Sequence, residues 1–242
     1  MLRLISFFTL LLAPVYCFAQ QKGDPKLTEV WTPVPKIVTP PTPAQPAPTD
    51  AIVLFDGKHT KAWKGKNGAV EWLLADGALT VAPGKGDIYT IDSFDNFQLH
   101  IEWRAPIVVK GEGQGRGNSG VFLMGRYEIQ ILDNYENSTY SNGQAASVYK
   151  QHIPLVNACR PPGEWQTYDI IFTAPDFEKE RLVRPAYVTV IHNGVLVQNH
   201  VELKGETVYI GSPTYKPHGK GPIKLQDHGD LVSFRNIWIR PL

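Results

Sequence analysis

The chain has 242 residues, a formal net charge of +1 and an ordinary balance of apolar (43%) and charged (19%) residues, with acids and bases interspersed. Lacking a basic run to follow phosphates, it is not expected to bind nucleic acid. After the first twenty residues no apolar stretch reaches the length of a membrane helix, so stable membrane insertion is not expected either.

Residues 1–19 place Arg3 before an apolar run from Leu4 to Phe8, continue it through Leu10 to Ala13, and end on a small residue, Ala19. This is the layout of a secretory signal peptide, so cleavage after Ala19 and a secreted or periplasmic protein are expected. Cys17 follows Tyr16, where a lipid-attachment site wants a small residue. Removing the leader leaves Cys159 as the sole thiol, which cannot form an internal disulfide, so stability must come from burial. Residues 20–49 become dominated by proline (TPVPKIVTPPTPAQPAP), with few backbone donors and little to bury. They read as an extended spacer, or equally as an unstructured leader without a tethering role.

The folded domain is expected over 50–242. VEWLLADGALTV and YVTVIHNGVLVQ each set a turn pair, Asp76-Gly77 and Asn193-Gly194, between apolar runs, the signature of a hairpin. FQLHIEWRA, SGVFLMG, YEIQILD, QTYDIIFTA and LVSFRNIWIR are further strand candidates, rich in β-branched and aromatic residues and bounded by Gly, Pro, Asn or Asp. No clear amphipathic helix separates them. Many short strands without intervening helices predict an all-β fold, a concanavalin A-like jelly-roll sandwich of two antiparallel sheets. Two long irregular connections, VVKGEGQGRG and the stretch between Asp133 and Gln166, flank YEIQILD and have the length of functional rims.

Along YEIQILD, Glu128 and Gln130 share a face because side chains alternate. Asp133 faces away unless a β-bulge at Ile131 or Leu132 brings it round. The pattern resembles the Glu-x-Asp-x-x-Glu strand of family 16 glycoside hydrolases, which also use a jelly roll. Here the middle acid is Gln130 and the last is the shorter Asp133. The retaining mechanism, which needs carboxyls about 5–5.5 Å apart, therefore does not simply carry over.

A resemblance covering nearly the whole domain is carried in order by LFDGKHTKAW, VEWLLADGAL, FQLHIEWR, GNSGVFL, YEIQILD, SNGQAASVYKQHIPLVNACRPPGEWQTYDI, VIHNGVLVQ, GPIKLQDHG and VSFRNIWIRPL. These segments resemble the 3-keto-disaccharide hydrolase domain family. The resemblance implies release of sugar from a glycoside whose C3 a separate sugar 3-dehydrogenase has already oxidised. A ketone at C3 acidifies the C2 hydrogen, so a base can remove it, the enolate expels the C1 substituent, and water then adds. Such a site needs a base, a proton donor and groups that stabilise the enolate.

On this basis Glu128 is the expected acid/base, Asp133 its partner or a ligand to a sugar hydroxyl, and Gln130 a substrate-orienting amide. Arg104 and His228, in the EWR and LQDHG motifs, are candidates to polarise the C3 carbonyl. Arg104 reads equally as an ion-pair partner of Glu102 or Asp133, and His228 as part of a turn. Asn118 and Gln226 offer hydrogen bonds, although Asn118 suits the shaping of its Gly-rich turn. Trp103 and Trp165 are candidate stacking platforms, while Trp72 and Trp238 read as core. Cys159 lacks an evident base and reads as structural or incidental. No nucleotide fingerprint follows a strand into a helix, and His152, His192, His200 and His218 lack zinc-ligand spacing, so neither cofactor nor metal is expected. A conventional glycosidase, a lyase that stops at the unsaturated sugar, and a non-catalytic carbohydrate-binding domain are the competing readings.

Overall fold

Alternation along Phe97–Arg104 decides which way the principal sheet faces: Phe97, Leu99, Ile101 and Trp103 are buried, while Gln98, His100, Glu102 and Arg104 are half-exposed. A strand of this pattern must lay one face on a second layer and turn the other outward. The computed structural model describes residues 46–242; the expected leader and the spacer up to residue 45 lie outside the described residues.

In chain order the first strands are β1 (Ile52–Phe55), β2 (Trp63–Lys64), β3 (Leu73–Ala75), β4 (Ala78–Thr80), β5 (Ile88–Thr90) and β6 (Phe97–Arg104). Next come β7 (Ser119–Leu123), β8 (Tyr127–Ile131), β9 (Gln166–Thr173), β10 (Asp176–Glu178) and β11 (Arg181–Arg184). The last are β12 (Tyr187–His192), β13 (Val195–Glu202), β14 (Lys224–Leu225) and β15 (Ser233–Pro241). An eight-stranded sheet runs β13-β12-β9-β6-β15-β4-β3, with β1 also on β15, and a five-stranded sheet runs β2-β5-β14-β7-β8. The strand pairs of both sheets are antiparallel, and β10 and β11 form a separate ribbon. This is the jelly-roll β-sandwich of the concanavalin A-like class.

The two turn pairs behave as their residues require. Asp76 and Gly77 have φ of 51° and 72°, Asn193 and Gly194 have 51° and 81°, and each pair closes a hairpin. Positive φ at both central positions gives the turn the twist of the strands it joins.

The sheets meet through side chains of opposite parity. From the small sheet come Val121, Leu123, Tyr127, Ile129 and Ile131; from the large sheet Leu99, Ile101, Trp103, Tyr168, Ile170 and Phe172. Tyr127 and Phe172 touch across the layers at 5.7 Å, and Tyr168 Oη donates to Gln130 O at 2.8 Å. Fully burying each such aliphatic or Phe side chain contributes roughly 1.5–3 kcal/mol, so the core holds the small sheet rigidly against the large one. Trp72 joins this core, stacked on Phe234 at 5.9 Å. Trp238 is also buried, but it stacks on His100 at 5.2 Å, on the outer side of the large sheet. Cys159 is a free, half-buried thiol whose pKa burial pushes up to about 12, too high for a nucleophile. Among the described residues no helix is long and apolar enough to cross a membrane.

Candidate active site

Because β7 and β8 pair without a register shift, Gly120, Phe122, Glu128 and Gln130 all project from the outer face of the small sheet. The free edge of β8 is completed by an irregular segment: Gln130 N donates to Ser147 O at 3.0 Å, Ala146 N to Gln130 O at 2.9 Å, and Tyr149 N to Glu128 O at 3.1 Å. That segment and the Gly-rich loop before β7 rise over the sheet and enclose a cleft of about 670 Å³.

Glu128 forms part of its floor, and only 5% of the residue is exposed. Gly120 makes the room, since a Cβ there would lie 2.6 Å from Glu128 Oε1. Dehydration is the main influence on the carboxyl and pushes its pKa up to about 8; Lys224 opposes the rise and Asp87 adds to it. Lys224 stands beside the cleft, its Nζ 3.5 Å from the Phe122 ring centroid and 3.2 Å from Asp87 Oδ2. Tyr149 and Tyr140 share a hydroxyl–hydroxyl contact of 2.6 Å; burial, then that hydrogen bond, raises the Tyr149 pKa and keeps it a donor. Lys150 Nζ lies 4.1 Å from the Tyr209 ring centroid and donates to Tyr209 O at 2.7 Å, fixing the third tyrosine of the wall.

The fold gathers five of the sequence-predicted residues on this cleft: Glu128, Gln130, Asn118, Gln226 and His228. Asn118 also shapes its turn, with Nδ2 donating to Gln114 O at 2.7 Å and its backbone N–H to Asp230 Oδ2 at 2.8 Å. His228 stands exposed at the rim.

Four others lie elsewhere. Asp133 does not converge with Glu128: the β7–β8 pairing is regular as far as Ile131, where β8 ends, and Asp133 lies outside the cleft. Its carboxylate pairs with Arg116 Nε at 2.7 Å and accepts from Tyr135 N at 3.2 Å, beside a separate cavity of about 490 Å³. Arg104 projects from the outer face of the large sheet, away from the cleft, with its guanidinium 4.6 Å from the Trp165 ring centroid. Arg235 lies 4.1 Å from the same ring and takes the Glu102 carboxylate at 2.6 Å, so Glu102 is not Arg104's partner. Trp165 thus stacks on arginine on the far side of the sandwich. Trp103 is 1% exposed and packs on Tyr168 and His192, a core residue rather than a platform.

Six further cleft residues went unnamed in the sequence reading: Gln114, Phe122, Tyr140, Tyr149, Thr207 and Tyr209. Gln114, Tyr140 and Tyr149 belong to the two irregular connections whose length marked them as rims, and Phe122 shares the alternation of β7. Thr207 and Tyr209 come from a distant loop and carry no local signal; Thr207 Oγ1 accepts the Glu128 backbone N–H at 2.9 Å. Among the described residues no group of three or more His, Cys, Asp or Glu is arranged to hold a metal ion.

Residues 50–240 match the model of the 3-keto-alpha-glucoside-1,2-lyase-like domain. A Bacteroides thetaiotaomicron protein named 3-keto-disaccharide hydrolase is 25% identical over 81% of this chain and 80% of its own length. A solved structure of a candidate glycosyl hydrolase from Parabacteroides distasonis is 53% identical, covers 90% of this chain and 97% of its own, and superposes with a TM-score of 0.87. A second candidate glycosyl hydrolase from that organism, 23% identical over 80% of this chain and 94% of its own, shares the fold with a TM-score of 0.60.

Proposed function

The chain belongs to the 3-keto-alpha-glucoside-1,2-lyase-like domain family, and from that premise we propose that it is a carbohydrate-active hydrolase that cleaves 3-keto glycosides by elimination and hydration. One observation carries the reading: a carboxyl group with its pKa pushed up to about 8 stands at the floor of a sugar-sized cleft walled by tyrosines and amides. A base whose pKa lies near the working pH combines an adequate ionised fraction with real proton affinity.

In this mechanism ionised Glu128 takes the C2 proton of the 3-keto sugar. The C2–H electrons move into an enolate whose oxygen is that of the former C3 ketone. Collapse of the enolate breaks the C1–O bond and leaves a C1–C2 double bond; the departing oxygen takes its proton from a donor such as the Tyr149 hydroxyl. Water then adds at C1 and gives one proton to the phenolate left on Tyr149, while protonated Glu128 returns its proton to C2, so that the 3-keto sugar, the carboxylate and the tyrosine hydroxyl are all restored. His228 polarises the C3 carbonyl from the rim, and the positive field of Lys224 offsets the enolate charge. Gln226 and Asn118 hold ring hydroxyls, and the tyrosine wall supplies stacking surface. A separate sugar 3-dehydrogenase supplies the ketone, and the leader at 1–19 directs the protein to the secreted or periplasmic space where the two meet.

Incubating the mature domain with 3-keto sucrose, 3-keto trehalose and their unoxidised parents, followed by product analysis, tests the proposal. Release of monosaccharides from the oxidised sugars alone is expected, with loss of turnover in Glu128→Gln. Equal turnover of the parents would overturn it in favour of a conventional glycosidase, and accumulation of an unsaturated keto sugar would place the end point at elimination.

A further inference from the structure

The pairing register sets one row of side chains across the outer face of the small sheet: Lys64 on β2, Tyr89 on β5, Lys224 on β14, Phe122 on β7 and Glu128 on β8. Lys224 and Glu128 are therefore two strands apart, roughly 10 Å by backbone, with Phe122 between them. The Lys224 ammonium stands over the Phe122 ring, 3.5 Å from its centroid. A flexible lysine beside a buried carboxyl would gain by pairing with it, yet the ion pair that Lys224 makes is with Asp87, whose Oδ2 is 3.2 Å from Nζ. Both side chains are largely covered, 15% and 26% exposed, so water screens the pair poorly. Asp87, two residues before Tyr89, shares the outer face and is itself fixed. Its Oδ1 accepts Asp227 N at 2.9 Å, while the Asp227 carboxylate accepts Gly86 N at 2.9 Å and Gly229 N at 3.0 Å. The two carboxylates brace the segment before β5 against the one after β14, from which Gln226 and His228 reach the cleft.

We propose that Asp87 is a positioning residue that holds the Lys224 ammonium over the Phe122 ring and off the Glu128 carboxylate, so that the acid/base group has a cation beside it without being paired to it. The proposal rests on Glu128 acting as the base. Were Lys224 free to swing onto Glu128, the ion pair would keep the carboxyl ionised, weaken it as a base and withdraw the cation from the developing enolate. Tied to Asp87, Lys224 leaves Glu128 free to take a proton and keeps its own charge for the substrate. The other titratable groups facing this row are Lys64 on β2, Tyr89 on β5, Asp227 after β14 and Tyr149 on the segment beside β8, with His228, Tyr140 and Tyr209 around the cleft. Asp87→Asn leaves all of these in place and keeps an oxygen for Asp227 N, but it turns an amide nitrogen to the ammonium where the carboxylate oxygen stood.

The test follows the Glu128 titration in wild type, Asp87→Asn, Lys224→Met and the double variant. It is read from urea unfolding free energy against pH, each chain relative to itself carrying Glu128→Gln, and from the pH limb of kcat/KM on a 3-keto disaccharide. With Lys224 present, Asp87→Asn should lower the titration by about 1–3 pH units, because a negative charge is lost and the freed ammonium pairs with Glu128. In the Lys224→Met background only the lost charge acts, so the fall should be clearly smaller. The kinetic limb should move with the unfolding titration, and kcat above it should drop on the order of 10-fold with KM little changed; a merely structural loss would scale kcat/KM at every pH and leave the limb in place. Equal shifts in the two backgrounds, or no fall in folded Asp87→Asn, would overturn the proposal. If Asp87→Asn does not fold, Asp87→Ser makes the same comparison. Failure of the catalytic reading is separately visible, because wild type would then leave the keto sugar intact while the unfolding titration still reports whether Asp87 restrains Lys224.

Discussion

Replacing Glu128 by Gln should stabilise the protein in a pH-dependent way. Below about pH 4.5 the wild-type side chain is protonated in both folded and unfolded states, and its burial carries no ionisation cost. Above that point only the unfolded chain releases the proton, so the folded state loses stability steadily until Glu128 ionises there too, at about pH 8. At about 1.4 kcal/mol per pH unit, the loss reaches about 3 kcal/mol at pH 7 and levels off near 5 kcal/mol above pH 8. An uncharged amide of the same shape escapes this loss. Glu128→Gln should therefore melt roughly 6–12 °C above wild type at pH 7, with the gap closing towards pH 4. Differential scanning calorimetry across pH 4–9 measures it. A constant gap, or a less stable variant at pH 7, would refute the claim that Glu128 is buried at an energetic cost for the sake of its chemistry.

Gly120→Ala places a Cβ 2.6 Å from Glu128 Oε1 and displaces the carboxyl, so kcat/KM should fall on the order of 100-fold while circular dichroism stays native. Asp133→Ala takes the carboxylate from the half-buried Arg116 guanidinium, which keeps the Tyr135 and Glu136 carbonyls as acceptors, and should cost about 1–3 kcal/mol in denaturant unfolding, with no change in the pH profile of the fraction that remains folded. Arg104→Ala, made on the opposite face of the sandwich, should leave kcat and KM within about twofold of wild type; a large rise in KM would place substrate where this account does not.

Period-two alternation carried most of the architecture, because it is local. It paired Glu128 with Gln130 and marked the strands on either side of both type I′ turns. It could not say which sheet face bears the cleft, since that depends on which loops close over it. Hence Arg104 and Trp165 read as site residues although they share the far face of the large sheet. Asp133 shows a different limit. Its convergence with Glu128 needed a bulge, but the pairing stays regular to the end of β8 at Ile131, and beyond it Asp133 is held by Arg116 through both backbone and side chain. Tyr149 and Tyr209 reach the cleft only through tertiary folding, from segments with no periodicity to read. Gln130 was visible as a residue on the right face, but its contact with Gln114 spans two segments and emerges only from coordinates.

The central claim, that a dehydrated Glu128 breaks the C2–H bond, is tested most directly by single-turnover cleavage of a 3-keto disaccharide deuterated at C2, below pH 8, where the base is scarce. The account predicts that the deuterated sugar is cleaved several-fold more slowly than the protiated one, and that neither is cleaved by Glu128→Gln. Equal single-turnover rates for the two sugars would show that C2–H cleavage is not part of the slow step, and cleavage surviving in Glu128→Gln would remove Glu128 from the chemistry.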